Sequence, residues 1–191
     1  MKITLIEPRG FCFGVCRALK MLDSVLSEKP YVLHKIIHNK QIINQYKEKG
    51  VIFVDDLKDV PKGASLILPA HGVSKKIDEN ARENFVVTDT TCPFVKKNHL
   101  WVQQLEKQGL PIILIGKSNH AEIIGILGQL NNPKRAFVVS CVKDIEPLPF
   151  FPKVGVAMQT TFSSDDERLI LEELHKKYPQ VVFQSENIVS I

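Results

Sequence analysis

Short runs of apolar and β-branched residues alternate along the chain with longer stretches in which apolar residues recur every three or four positions. The runs predict buried strands of a parallel sheet, and the longer stretches predict amphipathic helices. This alternation is typical of an α/β fold with mainly parallel sheets flanked by helices. The predicted strands are 3–7, 31–37, 51–54, 65–69, 85–89, 111–115, 136–139, 153–158 and 181–184. The predicted helices are 13–28, 39–49, 74–83, 95–108, 121–131 and 164–178.

The two halves of the chain are weak copies of each other. A strand-like run from Phe85 reaches Cys92 after seven residues, and the run from Phe183 reaches Ser190 over the same interval. Similarity at a fixed offset indicates two copies of one structural unit. The repeat therefore predicts that Ser190 takes the place of Cys92 in the second copy. The predicted pseudo-repeated modules are 1–96 and 97–191, with the helix 95–108 and the turn after it as their seam.

The composition is that of a water-soluble globular protein, since 44% of the 191 residues are hydrophobic and 24% are charged. No apolar run approaches the ~20 residues of a membrane span, and the first residues lack a secretory signal. We therefore expect a cytoplasmic protein that does not enter a membrane. The net charge of +4 suits a small anionic substrate and is too weak and too scattered to indicate nucleic-acid binding.

The chain has four cysteines, which in the cytoplasm more often bind metals, act in catalysis or pack in a core than form disulfides. Cys12 and Cys92 each follow a strand-like run at the point where a helix begins. Thiolates are soft ligands that suit an iron–sulfur cluster or zinc. The alternative is that each thiol is a small buried hydrophobic group. Cys16 and Cys141 are expected to serve in helix packing.

Three histidines lie at predicted strand-to-helix junctions: His38, His71 and His120. A ring of such donors would suit an anionic ligand such as phosphate or diphosphate, and their spacing is not that of a zinc enzyme. Glu122 follows His120 and either complements the helix dipole or donates a proton. Thr160 and Thr161 follow an apolar strand, where their hydroxyls would relay a proton or bind substrate. The alternative is that both residues simply lead into a helix.

Six motifs that occur in order along the whole chain resemble one enzyme family, the 4-hydroxy-3-methylbut-2-enyl diphosphate reductases. These enzymes are the last of the non-mevalonate isoprenoid pathway. The motifs are Pro8-Arg9-Gly10-Phe11-Cys12-x-Gly14-Val15, Ile37-His38-Asn39, Ala70-His71-Gly72-Val73-Ser74, Asp89-x-Thr91-Cys92-Pro93, Gly116-x-x-x-His120-x-Glu122-x-x-Gly125 and Gln159-Thr160-Thr161-x-Ser163.

The resemblance implies an oxidoreductase with three α/β modules around a central cavity and a 4Fe-4S cluster held by one cysteine from each module. It implies reductive removal of the substrate hydroxyl, which gives isopentenyl and dimethylallyl diphosphate, with electrons from ferredoxin or flavodoxin. Cys12 and Cys92 match the first two cluster ligands, and Glu122 matches the acid that delivers protons. Thr160 matches a threonine near the substrate hydroxyl. The residues that match the diphosphate ligands are His38, His71 and His120.

The chain departs from the family pattern in two respects. Ser190 stands where the family has its third cluster cysteine, so it is the predicted third metal ligand here, although a serine alkoxide is a poor substitute for thiolate on iron. The third module would follow Ile191, so the chain is expected to be truncated before it. Two alternatives to the reductase follow. One is an impaired remnant that binds diphosphate through its histidines, and the other is a structural module stabilised by zinc on Cys12, Cys16 and a histidine.

Overall fold

Each half of the chain forms a four-stranded parallel sheet in a computed structural model that describes Thr4 and residues 10–183. The first sheet has strands β1 Tyr31–Leu33, β2 Ile52–Val54, β3 Ser65–Leu68 and β4 Val86–Asp89. The second has β5 Ile112–Ile115, β6 Ala136–Val139, β7 Lys153–Met158 and β8 Gln180–Val182. The helices are α1 Phe13–Ser24, α2 Lys40–Glu48, α3 Lys75–Asn84, α4 Pro93–Lys107, α5 Ala121–Leu127 and α6 Ser164–Lys177. The predicted α/β class is confirmed.

The two sheets have the same topology. Their strand orders are β2-β1-β3-β4 and β6-β5-β7-β8, and all described pairings are parallel. The predicted repeat is therefore confirmed at the level of fold. In each sheet the chain leaves the two inner strands in opposite directions, so the carboxyl ends of these two strands form a topological switch point. Open α/β sheets bind ligands at such a switch point.

The described residues form two compact units. The first unit runs to Ala70 and includes Val86–Cys92, and the second unit contains His71–Phe85 and the chain from Pro93 onward. Helix α3 belongs to the second unit, where the backbone N–H of Lys75 donates to the carbonyl of Gly128. The modules 1–96 and 97–191 follow the sequence repeat and remain a prediction.

The core of the first unit lies between its sheet and helices α1 and α2. Strand residues Val32 and Ile67 have no exposed surface, nor do Ala18 and Leu22 of α1. These helix residues lie four positions apart, which places them on one face. The apolar residues whose periodicity predicted the helix therefore form the face that packs against the sheet.

The second sheet is covered on both faces. Ile113 and Ile115 of β5 pack in a cluster with residues of α6, whereas Ile112 and Leu114 pack with residues of α4 and α5. Successive residues of a strand point to opposite faces, so a strand with helices on both sides is apolar throughout. Within the described residues no helix is long and apolar enough to span a membrane.

Three predicted elements differ from the structure. The strand predicted over 31–37 ends at Leu33, because His34 has a left-handed backbone with φ of 56° that no strand residue adopts. The helix predicted over 121–131 ends at Leu127, with Gly128 as its C-cap. The helix predicted over 13–28 ends at Ser24 and is followed by a short 3-10 turn. The strand predicted over 3–7 falls outside the described residues except for Thr4.

Candidate functional site

In the first unit, backbone hydrogen bonds continue the parallel pairing beyond the strand ends. The N–H of Ala70, after β3, donates to the carbonyl of Ile36, after β1, at 3.2 Å. The N–H of Cys92, after β4, donates in turn to the carbonyl of Ala70 at 2.8 Å. Three loops that carry candidate residues are thus held side by side at the carboxyl edge of this sheet.

The thiol of Cys92 lies against the first turn of α1. A Cβ atom built on Gly14 would lie 2.7 Å from the Cys92 Sγ, so only glycine leaves room for this sulfur. Cys12 is the N-cap of α1, is exposed, and makes no side-chain capping bond. The structure therefore brings both predicted ligands to the start of α1. A buried hydrophobic role is wrong for Cys12, and Cys92 is half-buried.

Arg17 holds the loop that carries Cys92, and sequence reasoning missed it. From one turn along α1, its Nη1 donates to the carbonyls of Thr90 at 3.4 Å and Thr91 at 3.2 Å. The Thr90 hydroxyl also donates to the carbonyl of Leu68 at 2.6 Å. A cation one turn after Gly14 was the available signal, but its partners lie more than 70 positions away.

His38 lies immediately before α2 in the first unit, and its side chain is exposed. The helix itself is capped by Asn39, whose side chain accepts a hydrogen bond from the N–H of Ile42 at 3.1 Å. An N-cap asparagine satisfies an otherwise unpaired backbone donor and fixes where the helix starts. The cap therefore sets the place of His38 at the end of the β1 loop.

In the second unit, Glu122 and Thr160 are in direct contact across the switch point between β5 and β7. Glu122 lies in the first turn of α5 and is only 2% exposed. The backbone N–H of Thr160 donates to its Oε1 at 2.8 Å, and the Thr160 hydroxyl donates to its Oε2 at 2.9 Å. Interaction with a helix dipole requires neither this burial nor these two bonds, so Glu122 has interactions beyond the dipole alone.

Burial raises the pKa of Glu122 above its ordinary value of 4.5. The hydrogen bonds from Thr160 and from the Asn98 side chain favour the carboxylate and oppose this shift, but they do not cancel it. A carboxyl with a raised pKa holds its proton closer to neutral pH, as a general acid must. The arrangement can store a proton on Glu122 and pass it to the Thr160 hydroxyl.

Asn98 is a second residue that sequence reasoning missed. It is 2% exposed in the middle of α4, and its Nδ2 donates to the carbonyl of Met158 at 2.6 Å. Its side chain also hydrogen-bonds Glu122. The available signal was a lone amide on the apolar face of α4, between Val95 and Val102. Buried polar groups need partners, so such an amide marks a polar site beneath it.

His120 and His71 are both in the second unit. His120 is the N-cap of α5, and its Nδ1 accepts from the backbone N–H of Glu122 at 3.2 Å. Its proton in the neutral ring is therefore on Nε2. The Nδ1 of His71 lies 3.1 Å from the carbonyl of Gly72, which can only accept, so in this contact the proton is on Nδ1. The two rings are held in opposite tautomers.

The predicted site residues therefore fall into two groups, each within one unit. Glu122 and Thr160 are bonded to each other, and His120 shares a turn with Glu122. Ser190 lies outside the described residues. The expectation that Cys16 and Cys141 serve in packing is wrong, because both are exposed and an exposed side chain packs against little. The residues of the first group are Cys12, His38 and Cys92, and those of the second are His71, His120, Glu122 and Thr160.

Residues 3–189 match the model of a protein family described as LytB protein. The chain belongs to the LytB protein family. Curated relatives with the name 4-hydroxy-3-methylbut-2-enyl diphosphate reductase include a LytB protein from Anaplasma marginale (strain Florida), 41% identical over 95% of this chain and 55% of its own length. Another, from Chlamydia trachomatis serovar L2b, is 41% identical over 94% of this chain and 60% of its own length.

Solved structures of LytB reductases have the same fold. The reductase from Plasmodium falciparum superimposes with a TM-score of 0.90 at 38% identity, covering 96% of this chain and 59% of that one. A second structure, described as the terminal enzyme of the non-mevalonate pathway, gives a TM-score of 0.82 at 34% identity. It covers 93% of this chain and 65% of the other. The present LytB chain thus spans a little over half the length of the relatives it matches.

Proposed function

We propose that this chain carries the reductase chemistry of its relatives, namely reductive dehydroxylation of 4-hydroxy-3-methylbut-2-enyl diphosphate to isopentenyl and dimethylallyl diphosphate. The observation that carries this proposal is the buried Glu122 with both carboxyl oxygens bonded to Thr160. Removal of a hydroxyl as water requires a proton donor, and burial helps Glu122 to keep its proton closer to neutral pH. The proposal includes a 4Fe-4S cofactor and ferredoxin or flavodoxin as the electron donor, in the cytoplasm.

The described thiols fit two positions of an iron–sulfur cluster. Cys12 is exposed at the N-terminus of α1, where its sulfur is accessible to a metal, and Gly14 leaves space around the Cys92 sulfur. Ser190 is the predicted third ligand. Among the described residues no three His, Cys, Asp or Glu side chains group as a metal site, so a third ligand has to come from elsewhere. When bound, the cluster would supply electrons and a Lewis-acidic iron.

Glu122 and Thr160 would deliver the proton. Protonated Glu122 donates through an Oε atom to the Thr160 Oγ1, and the Thr160 hydroxyl donates its own proton to the departing oxygen, which leaves as water. The two-electron reduction also needs a second proton, which goes to an allylic carbon of the substrate, and Glu122 is recharged from solvent. The raised pKa of Glu122 supports this role, because an acid of ordinary pKa would be almost wholly ionised at pH 7.

The three histidines would bind the diphosphate. His120 donates from Nε2 while its Nδ1 caps α5, so the ring is oriented before a ligand arrives. His38 lies at the end of the β1 loop, and His71 begins the loop that leads to α3. Hydrogen bonds to a charged phosphate oxygen are stronger than those between neutral groups, so a few such donors suffice for specific binding.

Anaerobic reconstitution with iron and sulfide tests the proposal directly. We expect a brown protein with absorbance near ~410 nm, as thiolate-bound clusters show, and turnover of the allylic diphosphate with a chemical reductant. Cys12→Ser and Cys92→Ser variants should lose the colour, and Cys141→Ser, which alters an exposed thiol elsewhere, should retain it. A colourless wild-type protein after reconstitution would exclude cluster binding by this chain.

The three histidines also support a second candidate function, diphosphate binding without turnover. Calorimetry with inorganic diphosphate should then show binding in a colourless protein and its loss in His71→Ala. The zinc-stabilised module gains no support, because no Cys12-Cys16-histidine group occurs within residues 10–183.

A further inference from the structure

Helix α5 and its C-cap pack closely against residues 71–74 in the second unit, and Gly128 allows the approach. A Cβ atom built on Gly125 would lie 3.5 Å from the backbone carbon of Gly72, an ordinary contact. A Cβ atom built on Gly128 would lie 2.2 Å from the Ser74 Cβ, which is impossible without a shift. The backbone N–H of Lys75 also donates to the carbonyl of Gly128 at 3.0 Å.

Gln129 joins the same two elements with a buried amide. It is 8% exposed, and its Nε2 donates to the carbonyl of Val73 at 2.7 Å and to that of Gly125 at 3.3 Å. Its Oε1 accepts from the Gln103 side chain at 3.2 Å. A buried amide with every bond made is costly to alter, because its partners would be left unpaired. We call Gly128, Gln129 and their contacts on Val73 and Ser74 the α5 lock.

The α5 lock connects residues that the proposed function places in one site. Helix α5 begins with His120 and Glu122, and the locked segment begins with His71. The carbonyl of His71 lies 3.7 Å from the Cβ position built on Gly125, so the backbone of His71 packs directly against α5. Any shift between α5 and this segment therefore changes the spacing between His71 and the other two side chains.

We propose that Gly128 and Gln129 are positioning residues that hold His71 at the correct distance from His120 and Glu122 for diphosphate binding. The binding part of this proposal rests on the proposed function, whereas the placement of the His71 ring does not. In an oriented site, misplacement of a group by about 1 Å can reduce its effect up to roughly a hundredfold. Even a small displacement of His71 should therefore be measurable.

Gly128→Ala is the sharpest test. Gly128 has φ of −71° and ψ of −3°, which alanine adopts without strain, so the clash with Ser74 is the added cost. Gly125→Ala adds the same methyl group to the same helix where it fits, and is the matched control. Ser74→Gly in the Gly128→Ala background removes the nearer clashing atom and leaves the backbone Cα of residue 74, 2.9 Å from the built Cβ. It should therefore restore function in part, since glycine is also an acceptable N-cap.

The readouts are the affinity for inorganic diphosphate by calorimetry, the imidazole nitrogen shifts of His71 by NMR, and the thermal midpoint. We expect Gly128→Ala to weaken diphosphate binding by roughly tenfold and to move the His71 resonances, with Gly125→Ala unchanged and the double variant restored in part. If Gly128→Ala does not fold, Gln129→Met, which keeps the size and removes the amide, should give the same two changes.

Variants that fold, bind diphosphate like the wild type and keep the His71 resonances would overturn the proposal and leave the α5 lock as packing alone. If the wild-type protein binds no diphosphate, the proposed function fails. The His71 resonances of Gly128→Ala and Gln129→Met then decide the inference by themselves, with movement supporting it and constancy refuting it.

Discussion

The two sheets have one topology, yet their corresponding loops are joined by different kinds of bond. In the first unit the loops after β1, β3 and β4 are joined by backbone groups of Ile36, Ala70 and Cys92. In the second unit the loops after β5 and β7 share one such bond, from the N–H of Gln159 to the carbonyl of Ile115. They are joined in addition by the side chains of Glu122 and Thr160.

The two units therefore differ in whether the bonds between their loops depend on particular side chains. Backbone bonds are independent of residue type, so the first unit can present a thiol at a loop end without altering the pairing that supports it. The side-chain bonds of the second unit depend on a titrating group, Glu122, and on the hydroxyl that contacts it. We therefore expect the second unit to respond to substitution of Glu122 and to pH, and the stability of the first unit to respond to changes in the contacts that hold the Cys92 loop.

The largest effect is expected for Glu122→Gln. The amide keeps the shape and can still bond Thr160, but it cannot release a proton as an acid does. Turnover by the reconstituted protein should fall by about 10²- to 10⁴-fold, the usual range for loss of a general acid. Glu172→Gln, on the exposed face of α6, is the control and should be neutral. Turnover near that of the wild type in Glu122→Gln would remove Glu122 from the reaction.

A steric change in the first unit comes next. Gly14→Ala places a methyl group 2.7 Å from the Cys92 Sγ, so the thiol or helix α1 must move. We expect a loss of about 1–3 kcal/mol in the free energy of unfolding, as for other overpacked sites. Alkylation of Cys92 in the protein without metal should also change in rate. Cys16→Ala, on the exposed part of α1, should leave both measurements unchanged, and an unaltered Gly14→Ala protein would contradict the contact.

Arg17→Met tests whether the Cys92 loop needs its clasp in addition to the backbone pairing. Methionine fills similar space but leaves the carbonyls of Thr90 and Thr91 without this donor. Hydrogen bonds from charged donors contribute about 1.5–3 kcal/mol in favourable cases, and these are long, so we expect a loss of about 1–2 kcal/mol. Urea denaturation measures it, with Lys20→Met on the exposed face of α1 as control. Equal losses in the two variants would mean that the clasp contributes nothing.

The smallest effect is a pH dependence of stability in the second unit. Because burial raises the pKa of Glu122, the folded state binds this proton more tightly than the unfolded chain does. The stability from this group is complete below its ordinary pKa of 4.5 and is lost as pH rises through the folded value. The urea midpoint of Glu122→Gln, measured from about pH 4 to about pH 8, should therefore rise relative to that of the wild type. Parallel profiles would show that the carboxyl has an ordinary pKa.

Local patterns predicted most of the fold, and tertiary contacts account for what they missed. The apolar periodicity of α6 and its N-cap Ser163 are features of the local sequence, so the helix and its bounds could be predicted. The break at His34 could not, because apolar residues on both sides of His34-Lys35 favour a continuous strand and nothing local fixes a left-handed backbone there. Candidate residues such as Glu122 could be named from their motifs. Its bonds to Thr160, 38 positions away, and to Asn98 depend on how strands and helices meet in space.

His120 has a structural role as the N-cap of α5, in addition to any contact that its ring makes with a ligand. Its Nδ1 lone pair is already engaged by the N–H of Glu122. Addition of a second proton to the ring would abolish that bond and release the first turn of α5, to which Glu122 belongs. An anion that draws a proton onto this imidazole therefore weakens the start of the helix that carries Glu122, whereas one that takes only the Nε2 hydrogen bond leaves the helix start intact. A proton on the imidazole and the N-cap of α5 thus compete for the single lone pair of the His120 Nδ1.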